Sequence, residues 1–117
     1  MAASERRRTN RVDVLLSGRW DADGKTTAVG IRNISRLGAG LVAQLPAGQF
    51  GILRFVASDE PYDVPSVVAW VDAERALCGV RFMLRREQDQ RRIVHLAQHL
   101  IGQSPQLHWR LEDAGRP

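Results

Sequence analysis

The sequence predicts a mainly β domain, a small antiparallel barrel or sandwich followed by one amphipathic helix. Six short apolar runs lie between Val12 and Met83, turn-forming clusters separate them at regular spacing, and after Arg85 the apolar residues change from alternation to helical spacing. A sheet of that many short strands must close on itself or cover its edges, which is what a barrel or a sandwich does. At 117 residues, 44% of them hydrophobic and 26% charged, the chain has the size and composition of one globular domain.

Val12, Val14 and Leu16 alternate with Asp13, Leu15 and Ser17, a period of two that predicts a half-buried strand running to Trp20. Asp21 to Gly24 turns the chain, and Thr26 to Ile34, rich in β-branched residues, is the return strand of a hairpin. Ser35 to Gly40 reads as a tight corner, Leu41 to Leu45 as a short third strand, and Pro46-Ala47-Gly48 as another turn. Phe50, Ile52, Phe55 and Val56 mark the fourth strand, which Asp59-Glu60-Pro61 is expected to break. Val64 to Val71 forms the fifth, Asp72 to Arg75 turns, and Leu77 to Met83 forms the sixth. From Arg85 to Gln103 the apolar residues Ile93, Leu96, Ala97, Leu100 and Ile101 fall at i, i+3, i+4, i+7 and i+8, one stripe of a helix. Gly102 and Pro105 end it, and Leu107, Trp109 and Leu111 alternate in the tail. The chain divides into a basic arm over residues 1–11, a barrel with its helix over 12–103, and a tail over 104–117.

Charge and composition exclude several classes of function. The formal net charge is +4, and residues 1–11 alone contribute +3 of it through Arg6, Arg7, Arg8 and Arg11 against Glu5, so the rest of the chain is nearly neutral. Sixteen of the 17 basic residues are Arg, which favours planar, bidentate contacts to phosphate or guanine edges over a general nucleic-acid coat. The lone Cys78 excludes an internal disulfide and a cysteine-rich zinc site and fits a reducing compartment. His95 and His99 are four apart on the helix, but no acidic or Cys partner stands beside them, so no metal site is assigned. The longest charge-free stretch, Leu37 to Leu53, is too short and too interrupted to span a membrane, and no apolar segment follows the arginine cluster as in an export signal; a cytoplasmic location is expected. No nucleophile is paired with a base, so no enzymatic activity is expected. Trp20, Trp70 and Trp109 are read as packing residues rather than as base-stacking platforms.

Two segments carry the functional signal. Arg6, Arg7 and Arg11 form RRxxxR just before the first strand, and Asn33-Ile34-Ser35-Arg36-Leu37-Gly38 forms NxSxxG at the corner after the second. Either alone is an ordinary basic tail or an ordinary turn. Together, in this order and about twenty residues apart on a small β domain, they resemble the PilZ domain family, and Val67-Val68-Ala69-Trp70 and Gly79-Val80-Arg81-Phe82 look like that family's later strands. The resemblance implies a six-stranded antiparallel PilZ-type β-barrel that binds cyclic di-GMP, a second messenger with two guanines and two phosphodiesters.

The chemistry of the residues agrees with that implication. An Arg guanidinium matches guanine O6 and N7, or two phosphate oxygens, with two donors, so Arg7 and Arg11 can supply both kinds of contact, with Arg6 as a third cation. Asn33 can offer its carbonyl oxygen to guanine N1–H or N2–H, Ser35 a hydroxyl to phosphate or a base edge, and Arg36 is the further arginine expected to line the ligand. Gly38 is expected to take positive φ or to admit the ligand close to the backbone. The expected function is a cyclic di-GMP receptor that changes conformation to regulate an unidentified downstream protein in motility, exopolysaccharide synthesis, biofilm formation or virulence. It needs no cofactor and no membrane insertion. The alternatives are a ligand-independent docking adaptor, of the kind connected with type IV pili, and a small nucleic-acid-binding barrel; the intact motifs argue against the first, and the 6% aromatic content against the second.

Overall fold

The computed structural model describes residues 12–103, with side chains over 13–100. Six strands, β1 (Val12–Ala22), β2 (Lys25–Ile34), β3 (Gly38–Val42), β4 (Phe50–Ala57), β5 (Glu60–Asp72) and β6 (Leu77–Phe82), precede one helix, α1 (Glu87–Gln103). All neighbouring strands are antiparallel, and the order β1-β2-β3-β6-β5-β4 closes on itself because β4 also pairs with β1. The barrel arrangement is therefore the one adopted.

Alternation fills the interior. Ile31 and Ile34 of β2, Leu41 of β3, Leu53 and Phe55 of β4, Val64 and Val68 of β5 and Cys78 and Val80 of β6 are all buried, together with Trp20. Ile93 and Leu96 of α1 join the same cluster, and Ala97 and Leu100 pack against it, so the helical stripe covers the barrel as its spacing requires. The β1–β2 hairpin turns on Asp23 and Gly24, both with positive φ, the two-residue turn whose twist matches that of paired strands.

Three expectations need correction. β3 begins at Gly38 rather than Leu41, because Gly38, Ala39 and Gly40 pair with Arg81, Val80 and Gly79 of β6. Asp59-Glu60-Pro61 does not break the strand: the chain turns on Ser58 and Asp59, both at positive φ, and β5 already starts at Glu60. Pro61 and Pro65 are tolerated because β6 pairs only with residues 66–72 of β5, leaving the first half of that strand without a β6 neighbour needing its N–H groups. The helix begins two residues later than Arg85. The alternating tail residues Leu107, Trp109 and Leu111 lie outside the described residues.

Candidate ligand-binding site

The corner after β2 is built by its own side chains. Ser35 is buried; its N–H donates to the Gly38 carbonyl at 2.9 Å, and its Oγ accepts the Leu37 N–H at 3.1 Å. That hydroxyl-to-backbone bond is the short-range turn Ser favours outside helices. Asn33, at the bulged end of β2, accepts the Gly40 N–H on its Oδ1 at 3.0 Å. Since a backbone N–H only donates, the atom facing Gly40 must be the oxygen, and Nδ2 is then the part of the amide with no partner among the described residues. The two polar motif residues thus spend their acceptors on shaping the corner, and the expectation that Asn33 leads with its carbonyl oxygen gives way to one in which it leads with a donor.

Gly38 has no positive φ. It is glycine because β6 crosses it closely: a Cβ there would collide with the Val80 carbonyl oxygen. The requirement is a backbone–backbone approach, not a left-handed turn.

The same corner stands beside the start of the barrel. Val12 pairs with Ile34 and Asp13 with Asn33, so the chain that carries the arginine motif is joined to β1 directly opposite the Asn-x-Ser segment. Arg6, Arg7 and Arg11 themselves lie outside the described residues. Asn33, Ser35, Arg36 and Gly38 are brought together as the sequence suggested, with Arg36 exposed at the tip of the corner.

Two further residues join them. Across the outer face of the barrel, Asn33 of β2, Gly40 of β3, Gly79 of β6 and Trp70 of β5 form one row of cross-strand partners. The Asn33 amide fills the space a Cβ on Gly40 would need, and the Trp70 indole fills the space above Gly79. Three strand spacings, roughly 15 Å, separate the two backbones, but both side chains lean inward over a glycine floor, so amide and indole end above adjacent strands. Trp70 is 48% exposed, unlike Trp20 at 1%, so it is not a core residue: its indole lies over Gly79 and about half of its surface faces solvent. The bulge between Val68 and Trp70 turns it outward. Arg81, two residues beyond Gly79 on the same face, pairs with Gly38. The sequence signal for both was the interior glycine Gly79, since glycine within an apolar strand marks a close approach.

Ion pairing divides the described basic residues: Arg54, Arg75, Arg91 and Arg92 have carboxylate partners, while Arg19, Lys25, Arg32, Arg36, Arg81, Arg85 and Arg86 have none within salt-bridge distance among the described residues. Arg54 pairs with Asp21 at 2.6 Å and Asp63 at 3.6 Å, Arg91 with Glu87 at 2.8 Å, and Arg92 with Glu60 at 3.7 Å while lying 4.2 Å from the centre of the Tyr62 ring. Arg36 and Arg81 have no carboxylate within salt-bridge distance among the described residues. Two guanidinium groups, an amide donor lying over Gly40 and an exposed indole lying over Gly79 therefore share this part of the barrel, a set suited to a planar, anionic ligand with base edges. No cluster of three or more His, Cys, Asp or Glu side chains able to hold a metal occurs among the described residues, and no helix there is long and apolar enough to cross a membrane.

A closed six-stranded antiparallel barrel with a polar, glycine-floored patch at the end where its N-terminal segment enters defines a small binding module. The chain belongs to the PilZ domain family, whose sequence pattern matches residues 5–99. Its fold is similar to the PilZ domain of CeSA from a cellulose-synthesizing bacterium, with a TM-score of 0.68 at 12% identity over 77% of this chain and 96% of that one. It is equally similar to the PilZ domain of YcgR from Escherichia coli solved with c-di-GMP, with a TM-score of 0.68 at 15% identity over 84% of this chain and 93% of that one. The K. pneumonia MrkH–c-di-GMP complex gives 0.66 at 21% identity over 82% of this chain, which spans only 52% of MrkH. No curated protein sequence matches the chain.

Proposed function

We propose that this chain is a cyclic di-GMP receptor without enzymatic activity, acting in the cytoplasm on a downstream protein. The observation that carries the reading is the register of β1 on β2: Val12 against Ile34 and Asp13 against Asn33 set the first residues of β1, which follow the arginine motif in the sequence, beside the Asn-x-Ser corner. Cyclic di-GMP is the molecule in the YcgR and MrkH structures whose fold this chain shares.

The roles follow from the chemistry left free. Arg7 and Arg11 take phosphate oxygens or the O6/N7 edge of guanine, with Arg6 as an additional cation. Asn33 Nδ2 donates to a guanine or phosphate acceptor. Arg36 and Arg81 neutralise phosphate from the barrel side. Trp70 offers a face on which a guanine stacks. Ser35 and Gly38 act indirectly, by holding the corner against β6. Binding draws the arginine motif onto the barrel face and alters the surface that a partner meets.

Isothermal calorimetry with cyclic di-GMP beside a short single-stranded oligonucleotide, at two salt concentrations, tests the proposal. Saturable binding of the dinucleotide that survives added salt supports it. Binding only of the oligonucleotide, falling steeply with salt, identifies a nucleic-acid protein instead, and binding of neither leaves a docking adaptor.

A further inference from the structure

We propose that the groove between the first half of β5 and the start of α1 docks an extended acidic segment of a partner protein. The docking stands whether or not the chain binds cyclic di-GMP, because the groove lies on a different flank of α1 from the motif corner. It takes Asp89, Arg92 and Ile93 from the helix, whereas Arg36 and Leu37 line a separate cavity with Gln90, Arg91 and Val94.

The edge of β5 is open there at one residue. Val68 exchanges backbone hydrogen bonds with Gly48 and Gln49, on the β4 side, so residues 61, 63 and 65 turn their N–H and C=O groups the other way. β6 covers that side only from Ser66 onward. Pro61 and Pro65 have no N–H to offer, and their carbonyls are already taken, by Arg92 Nη2 at 2.8 Å and by the Met83 N–H at 2.7 Å. Of the three, Asp63 alone keeps both an N–H and a C=O without a partner among the described residues. A guest strand can exchange one pair of hydrogen bonds with it, and the two prolines refuse a longer ladder.

A cavity of about 470 Å³ opens beside that edge, inside the range of about 300 to 1,000 Å³ that ligand pockets occupy. Its apolar lining includes Phe50, Pro65, Met83 and Leu84, and Phe50 is 61% exposed. Most of its charges are already answered. Asp63 is paired with Arg54 and Arg92 with Glu60, and Asp89 sits in the first turn of α1, where a helix N-terminus favours a carboxylate. Arg85 and Arg86, the two residues directly ahead of α1, are exposed and have no carboxylate within salt-bridge distance among the described residues. An apolar groove with two free guanidinium groups selects a segment that brings carboxylates beside an apolar side chain. An extended chain supplies that by alternation, and the open Asp63 backbone requires the extended form.

NMR titration of the full chain with a short blocked peptide of alternating aspartate and leucine tests this, with its lysine–leucine counterpart as control. The amide resonances of Asp63, Leu84, Arg85 and Arg86 should shift saturably with the acidic peptide and not with the basic one, while that of Lys25, in the hairpin at the opposite end of the barrel, stays in place. No saturable shift up to about 1 mM acidic peptide, or equal shifts with both peptides, overturns the docking. Shifts confined to Leu37, Arg81 and His95 put the peptide in the other cavity and overturn it too. So do shifts that appear without peptide as the protein concentration rises, which assign the groove to a second copy. Arg85→Glu with Arg86→Glu, both exposed and outside the strands, should keep the wild-type melting temperature and abolish binding of the acidic peptide; retained binding overturns the charge selection. Phe50→Ala should weaken the peptide about tenfold, and wild-type affinity in that variant overturns the groove as the seat. Cyclic di-GMP should bind the double variant as it binds wild type. Its loss in the variant alone overturns the separation of the two sites, whereas its failure to bind wild type overturns the function proposed above and leaves the docking result standing.

Discussion

The indole of Trp70 occupies the space that a Cβ on Gly79 would require, so an exposed aromatic ring is held against the outside of the barrel by the absence of a side chain on the neighbouring strand. This pair makes Trp70 a platform of defined position rather than a stray surface residue, because the glycine sets both its height above the sheet and its distance from Asn33.

Trp70→Ala should weaken cyclic di-GMP binding by the loss of one stacked base, about 1 to 3 kcal/mol or roughly five- to 150-fold, while Trp70→Phe should retain most of the affinity. Gly79→Ala should match Trp70→Ala in binding, because the new methyl lifts the indole away. Calorimetry on the three variants checks this, and equal affinity in all of them and in the wild type removes Trp70 from the site.

Arg7→Ala or Arg11→Ala should each cost about 1.5 to 3 kcal/mol of binding, the worth of a hydrogen bond to a charged group, which is roughly ten- to 150-fold. Both precede the first strand in the sequence, and the melting temperature without ligand should hold. Wild-type affinity in either variant takes the arginine motif out of the site.

Gly38→Ala should destabilise the barrel by roughly 1 to 3 kcal/mol, the usual cost of forcing a methyl into a packed space, because β3 and β6 must separate at the Val80 carbonyl. Gly24→Ala is the control: nothing stands within 4 Å of its Cβ, and its cost is that of φ +76° alone. Thermal melts separate the two, since only the Gly38 variant should also lose ligand affinity. Unchanged stability in Gly38→Ala refutes the close crossing as the reason for glycine.

Acid titration should show a contribution from Asp21. The Thr26 hydroxyl bond and the Arg54 and Arg19 charges hold its carboxyl below the usual aspartate value, against a smaller opposing effect of burial. A group with a lowered folded pKa stabilises the fold above its ordinary pKa of 3.8, and that stability is lost as pH falls through the lowered value. Thr26→Ala should therefore reduce stability at neutral pH and flatten its fall below pH 4. An identical acid limb in wild type and variant shows that the bond contributes nothing.

Strand count, hairpin order and the helical stripe were legible from the sequence because each is a local periodicity: the alternation around Ile31 and Leu41 fixes a face, and Ile93 with Leu96 fixes another. The start of β3 was not, because Ser35 to Gly40 has the composition of a turn and becomes a strand only by pairing with residues 79–81. The same applies to Pro61 and Pro65, whose tolerance depends on where β6 stops. Asn33, Ser35, Arg36 and Gly38 are site candidates from their spacing alone, whereas the atoms they present are not legible in it. Asn33 Oδ1 and Ser35 Oγ are taken up by Gly40 and Leu37, and only the folded corner shows it.

What the sequence determined by itself is the set of local choices: which residues alternate, where glycine and proline punctuate, and that an arginine motif and an Asn-x-Ser corner occur in that order. Barrel closure decided what those choices add up to. Pairing β3 with β2 and β6, and β6 with β5, brings residues 33, 40, 79 and 70, scattered over more than forty positions, into one row with about one strand spacing between neighbours. Cross-strand neighbours are set by register, and register is a property of the whole closed sheet. That is why Trp70 and Arg81 join the candidate site only in the folded barrel, although the interior glycine Gly79 marks a close approach in the sequence.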